Sequence, residues 1–151
     1  MKLVNPPVGL MFFEGALRLA RAGVSVIPCA PSADTRVALE GYPGFLARQI
    51  TKDSYKKDGA EGLIPRRREN REKIISALLH SHPATRGLLL VVPEPLRSLC
   101  VADGNGDSLD AVLCAVQAAM SLIAFQRGDL MYGIPPMVDP LEGWIATVPG
   151  S

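Results

Sequence analysis

Apolar residues recur every three or four positions in several parts of the chain, which is the spacing of one helix face. Leu10, Phe13 and Leu17 show this spacing first, and Gly23 follows where such a helix would end. Three further stretches have the same pattern, and Pro65 suits the first turn of one of them. They predict helices over residues 45–50, from 65 to about 80, and over 96–102.

Short apolar runs bounded by proline or glycine predict strands. Residues 24–28 and 36–42 are the first two, and residues 88–92 (LLLVV) have the clearest pattern of a buried strand. Residues 144–148 suit either a last edge strand or an extended tail. The connection between the first two strands is too long for a hairpin, so the pattern predicts an α/β fold with helices around a sheet.

The longest helical pattern belongs to the stretch 104–120, which opens with a glycine-rich turn at residues 104–106, and Gly128 is placed to end the helix. Asp107 and Asp110 lie near its start, and apolar residues surround the rest of its circumference. One interpretation makes Asp107 the N-cap and Asp110 the third helical residue, where carboxylates interact favourably with the helix dipole. The other makes both carboxylates part of a site. The spacing is compatible with both.

Composition restricts the class of protein. The 151 residues are 48% hydrophobic and 21% charged, which predicts one folded domain over residues 1–151. The net charge of +1 indicates no partner by itself. Three cysteines without CxxC spacing favour reduced thiols in a cytoplasmic protein. No apolar run approaches ~20 residues, so we predict no membrane-spanning helix.

Three carboxylates are candidates for catalysis and for metal binding. Glu40 lies at the end of the second predicted strand, and Asp107 and Asp110 begin the long helix. If they point to one place, their hard oxygen ligands suit Mg²⁺ or Mn²⁺, and two such ions can promote phosphodiester cleavage. For Glu40, the competing interpretation is an exposed acid at a strand end.

Positive charge is concentrated between residues 51 and 73, at Lys52, Lys56, Lys57, Arg66, Arg67, Arg68, Arg71 and Lys73. The opposing acids are Asp53, Asp58, Glu61, Glu69 and Glu72. Several of the cations fall in the first turns of a predicted helix, where the helix dipole disfavours them. The span therefore suits nucleic-acid phosphates, and the first seven of its cations are the candidates. A solvated helix face with pairs such as Glu69–Lys73 is the alternative.

Other kinds of site find little support. His80 and His82 have no cysteine or carboxylate at metal-binding spacing and are interpreted as polar residues at a helix end. The cysteines lie on or beside apolar segments, as core thiols do. The turn at residues 104–106 lacks the lysine and the third glycine that phosphate-binding loops use.

Several segments together resemble the DUF429 family, a predicted nuclease-like branch of the ribonuclease H-like superfamily. They are residues 11–16 (MFFEGA), 38–44 (ALEGYPG), 54–57 (SYKK), 106–115 (GDSLDAVLCA), 132–135 (YGIP) and 139–145 (DPLEGWI). Their order and spacing also match, and they cover nearly the whole chain.

The resemblance implies a ribonuclease H-like mixed sheet flanked by helices, with an acidic site. It implies that Glu40, Asp107 and Asp110 hold Mg²⁺ or Mn²⁺ and that the basic span approaches a phosphate backbone. The resemblance therefore implies a metal-dependent nuclease, a hydrolase of phosphodiester bonds.

One departure from the family pattern affects this expectation. Ribonuclease H-like domains begin with strands that carry a further aspartate, and too few residues precede residue 6 to supply them. The chain therefore resembles a C-terminal portion, with an impaired site. A homo-oligomer or a complementing N-terminal chain would complete the sheet. The alternative function is a non-catalytic module that binds nucleic acid or protein.

Overall fold

The computed structural model describes residues 6–57, 59 and 64–148. Helix α1 (Pro6–Ala22) is followed by strands β1 (Ser25–Ile27) and β2 (Val37–Leu39). Helices α2 (Pro43–Ile50) and α3 (Ile64–Leu79) come next, then a 3₁₀ turn at Pro83–Thr85. Helices α4 (Glu94–Ala102) and α5 (Asp107–Gln126) complete the described elements. The structure is therefore mixed α/β, as predicted.

The two predicted N-terminal strands are confirmed, and they are parallel. Ser25 pairs with Val37 and Ile27 with Leu39. Beyond the end of β2, Glu40 forms a single parallel bridge with Ile145, and the Ala146 N–H donates to the Glu40 carbonyl at 2.7 Å. The segment over residues 144–148 thus contributes one bridge at the end of β2.

The prediction of a buried strand over residues 88–92 is wrong. Within the described residues this segment has no strand pairing, and Leu89 and Val91 are 62% and 92% exposed. Leu88 and Leu90 pack against the core instead. The apolar composition of the run reflects one buried face, and the sheet that would bury the other face is absent from this part of the chain.

The core lies where α2, α3, α4 and α5 meet. Its largest fully buried apolar side chains are Leu46, Ile74, Ile75, Leu78, Leu109 and Leu113. Each helix contributes residues three or four positions apart, so the predicted amphipathic faces are those that pack together. By length and composition alone, α5 could also cross a membrane, but a central core helix has the same composition, and α5 holds that position.

Candidate functional site

The carboxylate of Asp110 lies at a junction between α5 and the loop that precedes α3. The Tyr55 hydroxyl donates a hydrogen bond of 2.7 Å to Asp110 Oδ1. The Lys56 ammonium forms an ion pair with Asp110 Oδ2, and only 20% of the Asp110 side chain is exposed. Asp110 therefore has a neutral donor on one oxygen and a cation on the other.

Gly106 allows the loop to approach α5 this closely. Its φ is +81°, in the left-handed region that glycine adopts without strain. A Cβ at this position would lie 2.8 Å from Lys56 Cγ and 3.5 Å from Tyr55 Cδ2. The glycine-rich turn therefore serves the packing of residues 55 and 56 as well as the start of the helix.

Helix α3 holds the other side of the same loop. Arg71 is 1% exposed, and its guanidinium donates to Val101 O at 2.8 Å and to Tyr55 O at 2.9 Å. Asn70 Nδ2 donates to Ser54 O at 2.9 Å. The charged group of Arg71 is thus buried against backbone carbonyls, away from the surface on which a nucleic-acid contact was predicted.

The predicted capping arrangement of α5 is also wrong in detail. Gly106 is the N-cap residue, and Asp107 is the first helical residue, with an exposed side chain. Asp103 supplies the capping carboxylate, since its Oδ2 accepts the Ser108 N–H at 2.8 Å and its Oδ1 accepts the Asn105 N–H at 3.0 Å. These bonds, led by the one from the Ser108 backbone, hold the pKa of Asp103 below its usual range.

Glu40 faces a different part of the chain. A Cβ at Gly143 would lie 3.6 Å from Glu40 Oε2 and 3.3 Å from Cys29 Sγ. Glu40 lines a groove of about 260 Å³ with Glu142 and Trp144. Its carboxylate is therefore directed at the turn before the C-terminal segment, whereas that of Asp110 is directed at Tyr55 and Lys56.

The backbone after Glu40 nevertheless packs on α5. A Cβ at Gly41 would lie 3.5 Å from Cys114 Sγ, and Cys114 follows Asp110 by one helical turn. The Tyr42 N–H donates to Gln117 Oε1 at 3.1 Å. Gln117 is buried and donates in turn to Ala146 O at 3.2 Å and to Thr147 Oγ1 at 3.0 Å. Gln117 thus ties both the end of β2 and the C-terminal segment to α5.

These positions decide how well the expected metal fits. Within residues 6–57, 59 and 64–148, no group of three His, Cys, Asp or Glu side chains is arranged to hold a metal ion. Asp107 is exposed, Glu40 faces the Gly143 turn, and the Lys56 ammonium already balances Asp110. The residues present therefore do not fit Mg²⁺ or Mn²⁺ in this arrangement.

Two nearby groups keep their protons at neutral pH. Burial, followed by the hydrogen bond to Asp110, raises the pKa of the Tyr55 hydroxyl above its ordinary value. Burial, followed by the charge of Asp110, raises the pKa of the Cys114 thiol. Since a thiolate is the nucleophilic form, Cys114 is a packing residue rather than a nucleophile.

The remaining cations of the basic span lie on the surface where this loop meets α3. Arg66 pairs with Asp53 at 2.9 Å, and Arg67 donates to the Lys57 carbonyl. These contacts run residues 53–57 alongside the first turns of α3. They bring together Lys57, Arg66 and Arg67, and with the adjacent Lys52 and Arg68 these residues form what we call the basic face. Arg68 also lines a groove with Glu94 and Arg97 of α4. Asp58 and Glu61, counted above among the opposing acids, lie outside the described residues.

Sequence reasoning missed two residues, Asp103 and Gln117. An aspartate before a Gly-Asn-Gly turn is a recognisable turn signal, so the role of Asp103 could have been predicted from the sequence. Gln117 lies in an apolar helix, and only the tertiary contacts show what its amide binds.

Comparison of the chain with protein-family models, curated proteins and solved structures gives no match.

Proposed function

We propose that this chain is a non-catalytic nucleic-acid-binding module that contacts the phosphate backbone through the basic face. The observation that carries the proposal is the alignment of residues 53–57 with the first turns of α3. It gathers cations from two segments while Asp110 neutralises Lys56 and Arg71 is buried. Clustered surface cations attract a polyanion and release its counterions.

The charge balance of this surface supports the proposal. Arg66 and Arg68 pair with Asp53 and Glu72, but more than half of each arginine side chain is exposed. Exposed pairs of this kind are weak, so a phosphate can compete for the guanidinium group. Lys52 and Lys57 are exposed, and no acidic partner for either lies among the described residues. Binding would be sequence-tolerant, because phosphate contacts carry no base information.

We also propose that the chain has a ribonuclease H-like fold and is a member of the DUF429 family. The same proposal includes a cytoplasmic location. The parallel pairing of β1 with β2 and the Glu40–Ile145 bridge support the fold. Cys29, Cys100 and Cys114 are all free thiols, which suits a reducing compartment.

Fluorescence anisotropy with labelled single- and double-stranded oligonucleotides over a salt series tests the binding. We expect affinity to fall linearly with salt on logarithmic axes. The double substitution Lys52→Gln/Lys57→Gln should weaken binding, and on B-DNA it should reduce the salt slope by about 0.9 for each phosphate that is no longer neutralised. Binding that ignores salt would contradict the proposal.

Arg127→Gln provides the matched control. Arg127 is exposed at the C-terminal end of α5, roughly 30 Å along the helix from the Gly106 turn. The substitution Arg127→Gln removes one surface cation far from the basic face. Equal loss of affinity in the control and in the lysine variant would indicate a general charge effect and would count against a defined surface.

A metal-dependent nuclease is the second candidate, although Glu40, Asp107 and Asp110 do not fit the ion in this arrangement. The packing of Gly41 on Cys114 favours it, because this packing brings the end of β2 within one turn of Asp110. Calorimetric titration with Mn²⁺ separates the candidates. A heat signal in the wild type that disappears in Asp110→Asn would support the nuclease. Oligonucleotide binding that is no weaker in Asp110→Asn, without Mn²⁺ binding in either protein, would support the non-catalytic module.

A further inference from the structure

In the proposed function the basic face contacts phosphates, and an aromatic side chain beside it would distinguish a single strand from a duplex. Unpaired bases can stack on an exposed aromatic ring, whereas the bases of a duplex are already stacked on each other. Tyr55 lies in the basic span, but it is only 7% exposed and its hydroxyl is bound to Asp110. A ring that stacks on a base must therefore come from another segment.

Tyr42 is an exposed aromatic residue whose ring lies along the start of α2. The residue is 41% exposed. A Cβ at Gly44 would lie 3.1 Å from Tyr42 Cε2, and the guanidinium carbon of Arg48 lies 5.0 Å from the ring centroid. Gly44 and Arg48 are four residues apart, so they share one side of α2. Both contact the ring from the helix, and the exposed area is therefore on the side that faces away from α2.

The ring of Tyr42 is held in one orientation. Arg48 Nη2 donates to the Tyr42 hydroxyl oxygen at 2.8 Å, and the Tyr42 N–H donates to Gln117 Oε1 at 3.1 Å. The missing side chain of Gly44 lets the ring approach the helix this closely. An aromatic ring that is already ordered loses little conformational entropy when a ligand stacks on it. Tyr42 is therefore a preformed surface for a planar group.

Helix α5 places Tyr42 near the loop that carries the basic residues. Gln117 binds the backbone of Tyr42, and Asp110 binds Tyr55. Asp110 and Gln117 are seven residues apart, so they lie on one face of α5, about 10 Å from each other along its axis. Burial and the Asp110 carboxylate raise the pKa of the Tyr55 hydroxyl, and the positive charge of Arg48 opposes them. Arg48 is therefore also close to this loop.

We infer that Tyr42 stacks on an unpaired base, so that this module prefers single-stranded to double-stranded nucleic acid. The inference rests on the proposed function, because the phosphate contacts of the basic face bring the strand to the ring. Arg48 adds an exposed cation four residues before Lys52. Stacking of this kind tolerates any sequence, because every base has an aromatic face.

Fluorescence anisotropy of the full chain tests the preference, with a labelled strand of roughly 16 nucleotides and with its duplex. Wild type should bind the single strand more tightly than the duplex at equal salt. Tyr42→Ala should weaken single-strand binding about 5- to 150-fold, as the loss of one stacked base does, and should leave duplex binding unchanged. Tyr42→Phe retains the ring and should bind the single strand as the wild type does.

Phe125→Ala is the matched control. Phe125 is 39% exposed, close to the value for Tyr42, but it lies near the C-terminal end of α5 and stacks on Tyr132. Its removal should leave single-strand affinity unchanged. If Tyr42→Ala fails to fold by circular dichroism, photo-crosslinking of the wild type to a strand that carries bromouracil replaces it. The crosslink should then map to the peptide that contains Tyr42.

The outcomes separate this inference from the proposed function. If Lys52→Gln/Lys57→Gln weakens binding and Tyr42→Ala does not, the basic face is supported and the stacking is overturned. Duplex binding by the wild type that is as tight as single-strand binding would also overturn the inference, as would a crosslink that maps to another peptide. If the wild type binds neither oligonucleotide, the proposed function fails and this inference fails with it.

Discussion

Tyr55 donates its phenolic hydrogen to the carboxylate of Asp110 across 2.7 Å, and this bond joins residues 55 positions apart in the chain. Lys56, the next residue, occupies the other carboxylate oxygen. A two-residue segment of the loop is thereby fixed to the first turn of α5. These two contacts explain why the Ser-Tyr-Lys-Lys segment packs against the Gly-Asp-Ser-Leu-Asp segment in the fold.

Tyr55→Phe should lower the free energy of unfolding by about 1–3 kcal/mol, because it removes a hydrogen bond to a charged, half-buried acceptor. Urea unfolding measures the decrease. Tyr42→Phe is the matched control, since the Tyr42 hydroxyl only accepts a bond from the exposed Arg48. Equal decreases in the two variants would contradict the special position of Tyr55.

The raised pKa of the Tyr55 hydroxyl predicts that the protein loses stability at alkaline pH. Its pKa is raised in the folded chain, so the unfolded chain loses this proton first as the pH rises above the ordinary value of 10.0. The folded state binds more protons there, and stability therefore falls with increasing pH. Wild type should lose more stability above pH 10 than Tyr55→Phe does; parallel curves would exclude this contribution.

Gly106→Ala should destabilise the protein by about 2–4 kcal/mol, combining left-handed backbone strain with overpacking. The overpacking arises because the new Cβ would lie 2.8 Å from Lys56 Cγ. Gly128→Ala is the matched control: its φ is +99°, but no atom of the described residues lies within 4 Å of its added Cβ. Thermal unfolding of both variants isolates the steric part, and no difference between them would argue against close packing of the loop.

Gln117→Leu should release the C-terminal segment from α5. The substitution leaves the Tyr42 N–H and the Ala146 carbonyl without their partner, at a cost of about 1–3 kcal/mol for each unsatisfied group that stays buried. Hydrogen exchange should show faster exchange around residues 144–148 than in wild type. Gln126→Ala, at the exposed end of α5, should leave this exchange unchanged. Exchange as slow in Gln117→Leu as in wild type would show that Gln117 does not hold the C-terminal segment on α5.

Asp103→Ala should cost about 1 kcal/mol of stability, as the removal of a helix cap does, whereas Asp107→Ala should cost less. The pKa of Asp103 is lowered by folding, so its stabilisation is present above the ordinary value of 3.8 and is lost as the pH falls further. Lowering the pH should therefore decrease the stability of the wild type more than that of Asp103→Asn. A larger loss of stability in Asp107→Ala than in Asp103→Ala would indicate that Asp107, rather than Asp103, caps the helix.

Much of the secondary structure was determined by the sequence alone. Helical spacing located α2, α3, α4 and α5 to within a few residues, because each helix must bury a face that recurs every three or four positions. Proline and glycine marked most of their ends. The strands β1 and β2 were predicted correctly because short apolar runs bounded by turn residues are typical of strands.

The tertiary structure alone decided what the polar residues do. Arg71 and Arg67 belong to the same basic run, but packing buries Arg71 and leaves Arg67 on the basic face. Asp110 and Asp107 share a helical turn, but only Asp110 meets the loop that carries Tyr55 and Lys56. Local spacing fixes which side chains share a helix face, whereas the partners of a charge come from segments distant in sequence. For the same reason the LLLVV run predicted a strand, and only the fold showed that its outer edge is unpaired.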